Sequence, residues 1–336
     1  MIAELLCELS LSAGIGNVCE TGEIIKKHLS PLMEINTLYG NCLVGIIKGK
    51  TDKTLLLDAH YDEVGFIVTG VYDGGFLRVK PVGAVDARLL PSVPVTVHGK
   101  EKLCGVFASV PPHLKGKEES PADFNSLFID IGCGGNIDEM VALGDYVTFA
   151  TKPEKLANGI ICGKSLDNRA GVAALIKTAY LLKDKPLPCN VAFLFTSGEE
   201  LGLRGAKTAA FSLMPHTAVA VDVSFGNTPG MNEEDCRNLG SGPMIGTAPV
   251  LSRDIFNKLR DVAAEKNIDS TVEVMNRLTG TNADVITVTG GGVPCGLVSV
   301  PLRNMHCPAE TVDTKDVCAT AELLAAYILS GGGIND

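Results

Sequence analysis

The sequence contains no tryptophan, and aromatic residues make up only 5% of its 336 positions. A broad stacking platform for polysaccharide therefore has little to be built from. Basic residues are outnumbered by acidic ones, 29 to 39. That balance excludes general nucleic-acid binding, which rests on basic surface set against phosphates. No apolar run approaches the ~20 residues of a membrane-spanning helix. The stretch MIAELLCELSLSAG carries Glu4 and Glu8 without an early basic residue, which is not the form of a secretory signal. Eleven cysteines occur, yet no two stand in a C-x-x-C pair. Scattered thiols on apolar segments read as small core residues in a reducing compartment, not as a disulfide framework. The expected location is the cytoplasm.

What is present is material for a sizeable core: 46% of the residues are hydrophobic, and the length suits two domains. IAELLCELS and TGEIIKKHLSPL predict amphipathic helices, the second opened by Thr21. MEINTLYGNCLVGIIKG predicts a hairpin turning at Gly40-Asn41, and TLLLDAHYDEVGF opens with a buried strand. From Phe66 to Ala157 short strands follow one another: FIVTGV, FLRVK, VPVTVHG, LCGVFASV, LFIDIG and DYVTFA. Turn residues separate them and helical periodicity is missing, the pattern of a small barrel or sandwich. HLKGKEESPADFN, within this run, predicts a polar loop. After Gly159, helices such as NRAGVAALIKTAYLLK, SRDIFNKLRDVAAEKN and TKDVCATAELLAAYIL alternate with strands such as CNVAFLFT, HTAVAVDV and GVPCGLVSVP. The expectation is an α/β fold with a mainly parallel mixed sheet sandwiched by helices. Residues 1–65 and 159–336 would form it, and a small all-β barrel domain would be inserted over 66–158.

The acids and histidines fall at particular places in that pattern. His60 and Asp62 stand two apart at a strand end, where period-two geometry gives them one side. Asp167 precedes a helix, Glu199 and Glu200 follow VAFLF, Asp222 ends AVAVDV, and His306 follows LVSVPLRNM. Each lies at or just past the carboxyl end of an expected strand, the edge of an open α/β sheet where ligands bind. Taken singly, each has an ordinary reading as a helix cap, a turn acid or a hydrogen-bonded loop histidine. Together they suit a site for two divalent ions such as zinc. His60 and Glu200 would each hold one ion, Asp222 and His306 would complete the pair, and Asp167 would bridge. Such ions would polarise a water and a substrate carbonyl. Adjacent side chains diverge, so Glu199 would face the water as general base while Glu200 faces a metal. Asp62 would sit behind His60 on its other ring nitrogen.

DAHYDEVG, SLDNRAG, GEELGLRGA, AVDV and PLRNMHCPAE resemble the signature blocks of the dimetal aminopeptidases that assemble into tetrahedral shells, whose members are also labelled glutamyl aminopeptidase or endoglucanase. The resemblance runs over most of the chain. It implies a zinc-peptidase-like fold, metal ligation by His60, Asp167, Glu200, Asp222 and His306, with Asp167 bridging, Glu199 as catalytic base, Asp62 as the residue supporting His60, and release of N-terminal residues from short peptides. It also implies two divalent ions per subunit, zinc or cobalt, and an inserted domain that drives dimerisation and assembly to a dodecamer. The placement of the long gap agrees: 107 positions separate His60 from Asp167, whereas related dizinc carboxypeptidases and deacylases insert between the last two ligands.

Gly198, Asn282 and Cys307 depart from the family's pattern, which bears on substrate preference more than on chemistry. Cys307 is read as a packed thiol. Arg303 is a candidate contact for the substrate's carboxylate or carbonyl, or a loop salt bridge. A glycosidase needs an acid and a carboxylate flanking a sugar ring, and the acids here are committed to metal in this reading. A dimetal deacylase, or a shell-forming protein without activity, is the alternative.

Overall fold

The computed structural model describes residues 2–110, 123–132 and 136–332. Residues 113–122 of the expected loop HLKGKEESPADFN lie outside the described residues. Period-two alternation builds the central sheet. Its strands are β1 (Leu43–Ile47), β2 (Thr54–His60), β9 (Ile160–Gly163), β10 (Asn190–Thr196), β11 (Thr217–Phe225), β14 (Cys295–Arg303) and β15 (Glu310–Asp313), in spatial order β9-β15-β14-β11-β2-β10-β1. Odd positions of β2, β10 and β11, such as Leu55, Leu57, Phe193, Val219 and Val221, pack on one side with helices α1 (Ile2–Leu11), α2 (Glu20–Leu29), α3 (Leu166–Leu182), α5 (Arg253–Lys266) and the C-terminal helix Thr314–Leu329. Even positions, such as Leu56, Ala192, Leu194 and Ala220, pack on the other side with α4 (Arg204–Leu213). Both faces are covered, which is why these strands read as continuous apolar runs.

The parallel part of the sheet is narrower than the alternation of strands and helices predicts. Of these seven strands, β14, β11, β2 and β10 run parallel as neighbours, while β9, β15 and β1 are antiparallel. Two further strands, β12 (Met244–Thr247) and β13 (Thr271–Val274), are parallel to each other, and β12 pairs antiparallel with β14. Hairpin partners and returning edge strands carry the same apolar texture as crossover strands, so the sequence does not separate them.

Between β2 and β9 lie β3 (Gly65–Tyr72), β4 (Phe76–Val82), β5 (Pro94–His98), β6 (Lys102–Phe107), β7 (Ile129–Asp130) and β8 (Tyr146–Phe149), which close into a barrel. Its interior is a separate core of Phe66, Val79, Val97, Phe107, Val147 and Phe149 among others. Phe66 stands edge-on to Phe107 and Phe149, at 4.9 and 5.6 Å between ring centroids. Two caps can be compared with expectation. Ser252 caps α5, accepting from Ile255 N at 3.4 Å. Thr21 does not cap α2; it lies inside the first turn, buried, with its hydroxyl 2.8 Å from Ser12 Oγ. No described helix is long and apolar enough to cross a membrane.

Candidate metal centre and active site

The four parallel strands end along one edge, and the chemistry gathers there. His60 is the last residue of β2 and is 2% exposed. Its Nδ1 lies 3.3 Å from the Asp62 carbonyl oxygen and 3.5 Å from Asp62 Oδ1, which fixes the ring. The Asp62 carboxylate also accepts from the amides of Glu199 (3.2 Å) and Glu200 (3.3 Å), so one side chain holds both the imidazole and the turn that follows β10. Asp167 is set by two anchors. The side chain of Asn168 bonds the Val221 carbonyl and the Gly171 amide, tying the start of α3 to β11. Glu310 accepts from Asp167 N (3.0 Å) and from His306 N (2.8 Å), locking the two segments together.

These anchors bring six side chains into contact. His60 Nε2 is 3.1 Å from Asp167 Oδ1, 3.6 Å from Asp222 Oδ1 and 3.9 Å from Glu199 Oε2. His306 Nε2 is 3.1 Å from Asp167 Oδ2 and 3.2 Å from Glu200 Oε1. Asp167 thus turns one oxygen to each histidine. Two groups of nitrogen and oxygen donors, His60–Glu199–Asp222 and Asp167–Glu200–His306, each fall within 4.8 Å and could hold an ion. The sequence-derived residues His60, Asp62, Asp167, Glu199, Glu200, Asp222 and His306 are all brought together. Arg303 is not: its Nε donates to the Asn227 carbonyl at 2.6 Å, and it does not line the cavity over the cluster.

The electrostatics point the same way. Among the described residues the cavity, about 550 Å³, is lined by five carboxylates and two histidines and by no lysine or arginine. Burial, reinforced by Asp222, Glu200 and Asp167, pushes Glu199 up to about 9 against the pull of His60. Burial likewise raises Glu200 and Asp222. Burial works against the His306 cation, yet Asp167 and Glu200 at its ring raise it to about 11. Asp167 stays below the usual carboxylate range despite burial, held by His306 and His60. Packed acids that draw in protons, offset by two histidines but by no lysine or arginine among the described lining residues, form a candidate cation site by the chemistry of their donors.

Three features escape sequence reasoning. Glu310 is one, though an acid four residues past His306 was a visible signal. Glu273, in the middle of the strand TVEV, is another; it lines the cavity. The third is a buried knot beside the rim. Glu63 accepts from Lys164 Nζ at 2.6 Å and Arg169 Nη2 at 3.3 Å, all three nearly without exposure. Burial opposes its charge, but Lys164 and Arg169 hold Glu63 below the usual glutamate value.

Comparison with known proteins now decides the family. The model of the M42 glutamyl aminopeptidases matches residues 40–323. The chain belongs to the M42 glutamyl aminopeptidase family. A protein of Acetivibrio thermocellus provisionally named as an aminopeptidase is 33% identical over 322 residues, covering 93% of this chain and 94% of its own. A TET aminopeptidase from a marine-sediment Thaumarchaeota archaeon superposes with a TM-score of 0.93 at 26% identity, covering 98% and 97% of the two chains. The Pyrococcus horikoshii TET1 peptidase, described as able to assemble into a tetrahedron or a large octahedral shell, gives 0.88 at 29% identity, covering 98% and 99%. M42 membership makes this an aminopeptidase-type hydrolase fold with candidate metal-binding groups at its rim.

Proposed function

We propose that the chain is a dinuclear metallo-aminopeptidase that releases N-terminal residues from short peptides. The observation that carries this reading is Asp167, whose two oxygens face two different histidines 3.1 Å away. One ion would be held by His60, Asp222 and Asp167, the other by Asp167, Glu200 and His306, with zinc or cobalt suited to such nitrogen and oxygen donors. Bound there, two divalent ions would supply Lewis-acid polarisation of the scissile carbonyl and of a water. Glu199 is the general base. Its carboxylate takes a proton from the attacking water and returns it to the leaving amine nitrogen. Asp62 keeps the His60 ring oriented and, through the amides of Glu199 and Glu200, holds base and ligand in one rigid turn. The apolar wall of the cavity limits the water that competes for the site.

Residues 66–158 are assigned as an inserted barrel domain that carries dimer contacts, with residues 1–65 and 159–336 as the catalytic domain. Tyr72, Phe76 and Val106 on the barrel strands are exposed apolar side chains that support this assignment. Higher assembly toward a dodecamer is proposed from the shells described for TET relatives. The test of function is a panel of short peptides with free or acetylated N-termini, given to metal-stripped protein and to protein refilled with zinc or cobalt. Cleavage of the free-amine set alone, and only with metal, is expected. Cleavage of the acetylated set identifies a deacylase or endopeptidase instead, and silence on both despite bound metal removes the peptidase reading.

A further inference from the structure

Among the described cavity residues, Glu273 is the carboxylate to which the reading above gives no role, neither in holding an ion nor as base. It lies on β13, two strands out from β14, with β12 between. Gly246 of β12 stands in register with Leu297 on one side and Glu273 on the other. A Cβ at Gly246 would come within 3.1 Å of Leu297 and Met275 side-chain atoms. From β13, Glu273 reaches residues of β11 and β14. Ser299 Oγ donates to its Oε2 at 2.9 Å, and Ser224 Oγ donates to its Oε1. Two serine donors leave lone pairs free on a carboxylate that accepts at about four sites. Arg237 acts on it only at range, since its guanidinium donates to the carbonyls of Cys236 and Val272.

The charge balance isolates this acid. If two divalent ions occupy the rim, Asp167, Glu200, Asp222 and Glu199 together match their charge. Glu273 remains outside that balance, in a cavity without a lysine or arginine. Besides Ser224 and Ser299, the cavity it lines offers the apolar side chains Phe225, Met275 and Leu297. An acid among apolar side chains fits an aliphatic stem that ends in a cation. We propose that Glu273 is the specificity residue for a basic N-terminal residue, accepting the ammonium of lysine or the guanidinium of arginine while Phe225, Met275 and Leu297 pack along the stem. The proposal rests on the aminopeptidase reading above.

The experiment compares amides of lysine, arginine, norleucine and glutamate that share one leaving group, using metal-loaded full-length protein. Norleucine keeps the lysine stem and lacks the cation. A preference in kcat/KM for lysine over norleucine of about tenfold or more is expected, because a charge-assisted hydrogen bond is lost with the cation. In Glu273→Gln the lysine-to-norleucine ratio should fall by about ten- to a hundredfold. An unchanged ratio with both rates lowered would mean that Glu273 anchors the α-amine or supports the wall, and overturns the proposal. So does a wild-type ratio of one or below. Calorimetric binding of free L-lysine and L-norleucine to the same metal-loaded protein gives a second readout, independent of turnover. Tighter lysine binding that Glu273→Gln abolishes supports the assignment; equal binding of the two by wild type overturns it. If no free-amine substrate is cleaved while lysine still binds selectively, the aminopeptidase reading fails and Glu273 is left as a lysine-binding residue without a role in N-terminal specificity, which overturns the proposal as stated. If Glu273→Gln does not fold, the wild-type binding comparison decides alone.

Discussion

Asp62 and Glu63 are neighbours in the sequence and are both buried, yet they enter two clusters of opposite kind. Asp62 faces the rim, where carboxylates and histidines crowd together without a lysine or arginine. Glu63 faces the knot, where Lys164 and Arg169 neutralise it and Gly14 N donates to it at 2.9 Å. Lys164 and Arg169 also donate to the carbonyls of Ser12 and Leu9. In the knot the chain brings its own cations, so nothing is left for a ligand to do. At the rim the described lining offers His60 and His306 but no lysine or arginine, and burial raises Glu199, Glu200 and Asp222, which in the proposed reading is the cost of keeping a place for metal. The lesson is that a buried acid indicates function only after its counter-charges have been counted.

Substitutions can break or sharpen this contrast. The largest effect is expected at the shared ligand: Asp167→Asn should lower activity by about 10⁴-fold or more and reduce metal uptake, read by steady-state kinetics and elemental analysis. Glu199→Gln should keep its metal and lose about 10²–10⁴-fold in kcat, since it removes proton transfer alone. Metal loss in that variant would move Glu199 from base to ligand. In the knot the effect is on stability instead. Glu63→Gln leaves two buried cations facing a neutral partner and should cost about 3–5 kcal/mol in denaturant unfolding. Asp222→Asn is the matching change at the rim. It should leave the chelated protein as stable as wild type or more so, because it removes a charge that burial disfavours.

The smallest effect separates the clusters by pH. Glu63 has a depressed value in the folded chain, so its contribution is present above the ordinary glutamate value and is lost as pH falls through the depressed one. The stability gap between wild type and Glu63→Gln should therefore narrow in acid. A gap that persists unchanged would show that the knot acts through packing rather than charge.

The same contrast explains what was legible in the sequence. His60, Asp222, Glu199, Glu200 and His306 each follow an apolar run, so local pattern alone sends them to the ends of strands. The partners of Glu63 are not local: Lys164 lies 101 positions away, across the whole barrel. No spacing rule joins them. Glu273 was hidden for a related reason. Its bonds to Ser224 and Ser299 depend on β12 lying between its strand and β14, which only the folded sheet reveals. Thr21 misled because a threonine before an acid-rich turn has the form of a cap, while the tertiary neighbour Ser12 claims its hydroxyl. The narrow parallel zone was missed because antiparallel strands such as β1, LVGII, carry the same apolar texture as the parallel ones.

Metal stoichiometry tests the central claim most directly. Stripped protein would be titrated with zinc in a calorimeter, for wild type, Asp167→Asn and Glu63→Gln. The account predicts two ions per chain for wild type, two for Glu63→Gln under conditions where it remains folded, and impaired uptake at both positions for Asp167→Asn. Two ions bound unchanged by Asp167→Asn, or fewer than two by wild type, would contradict it.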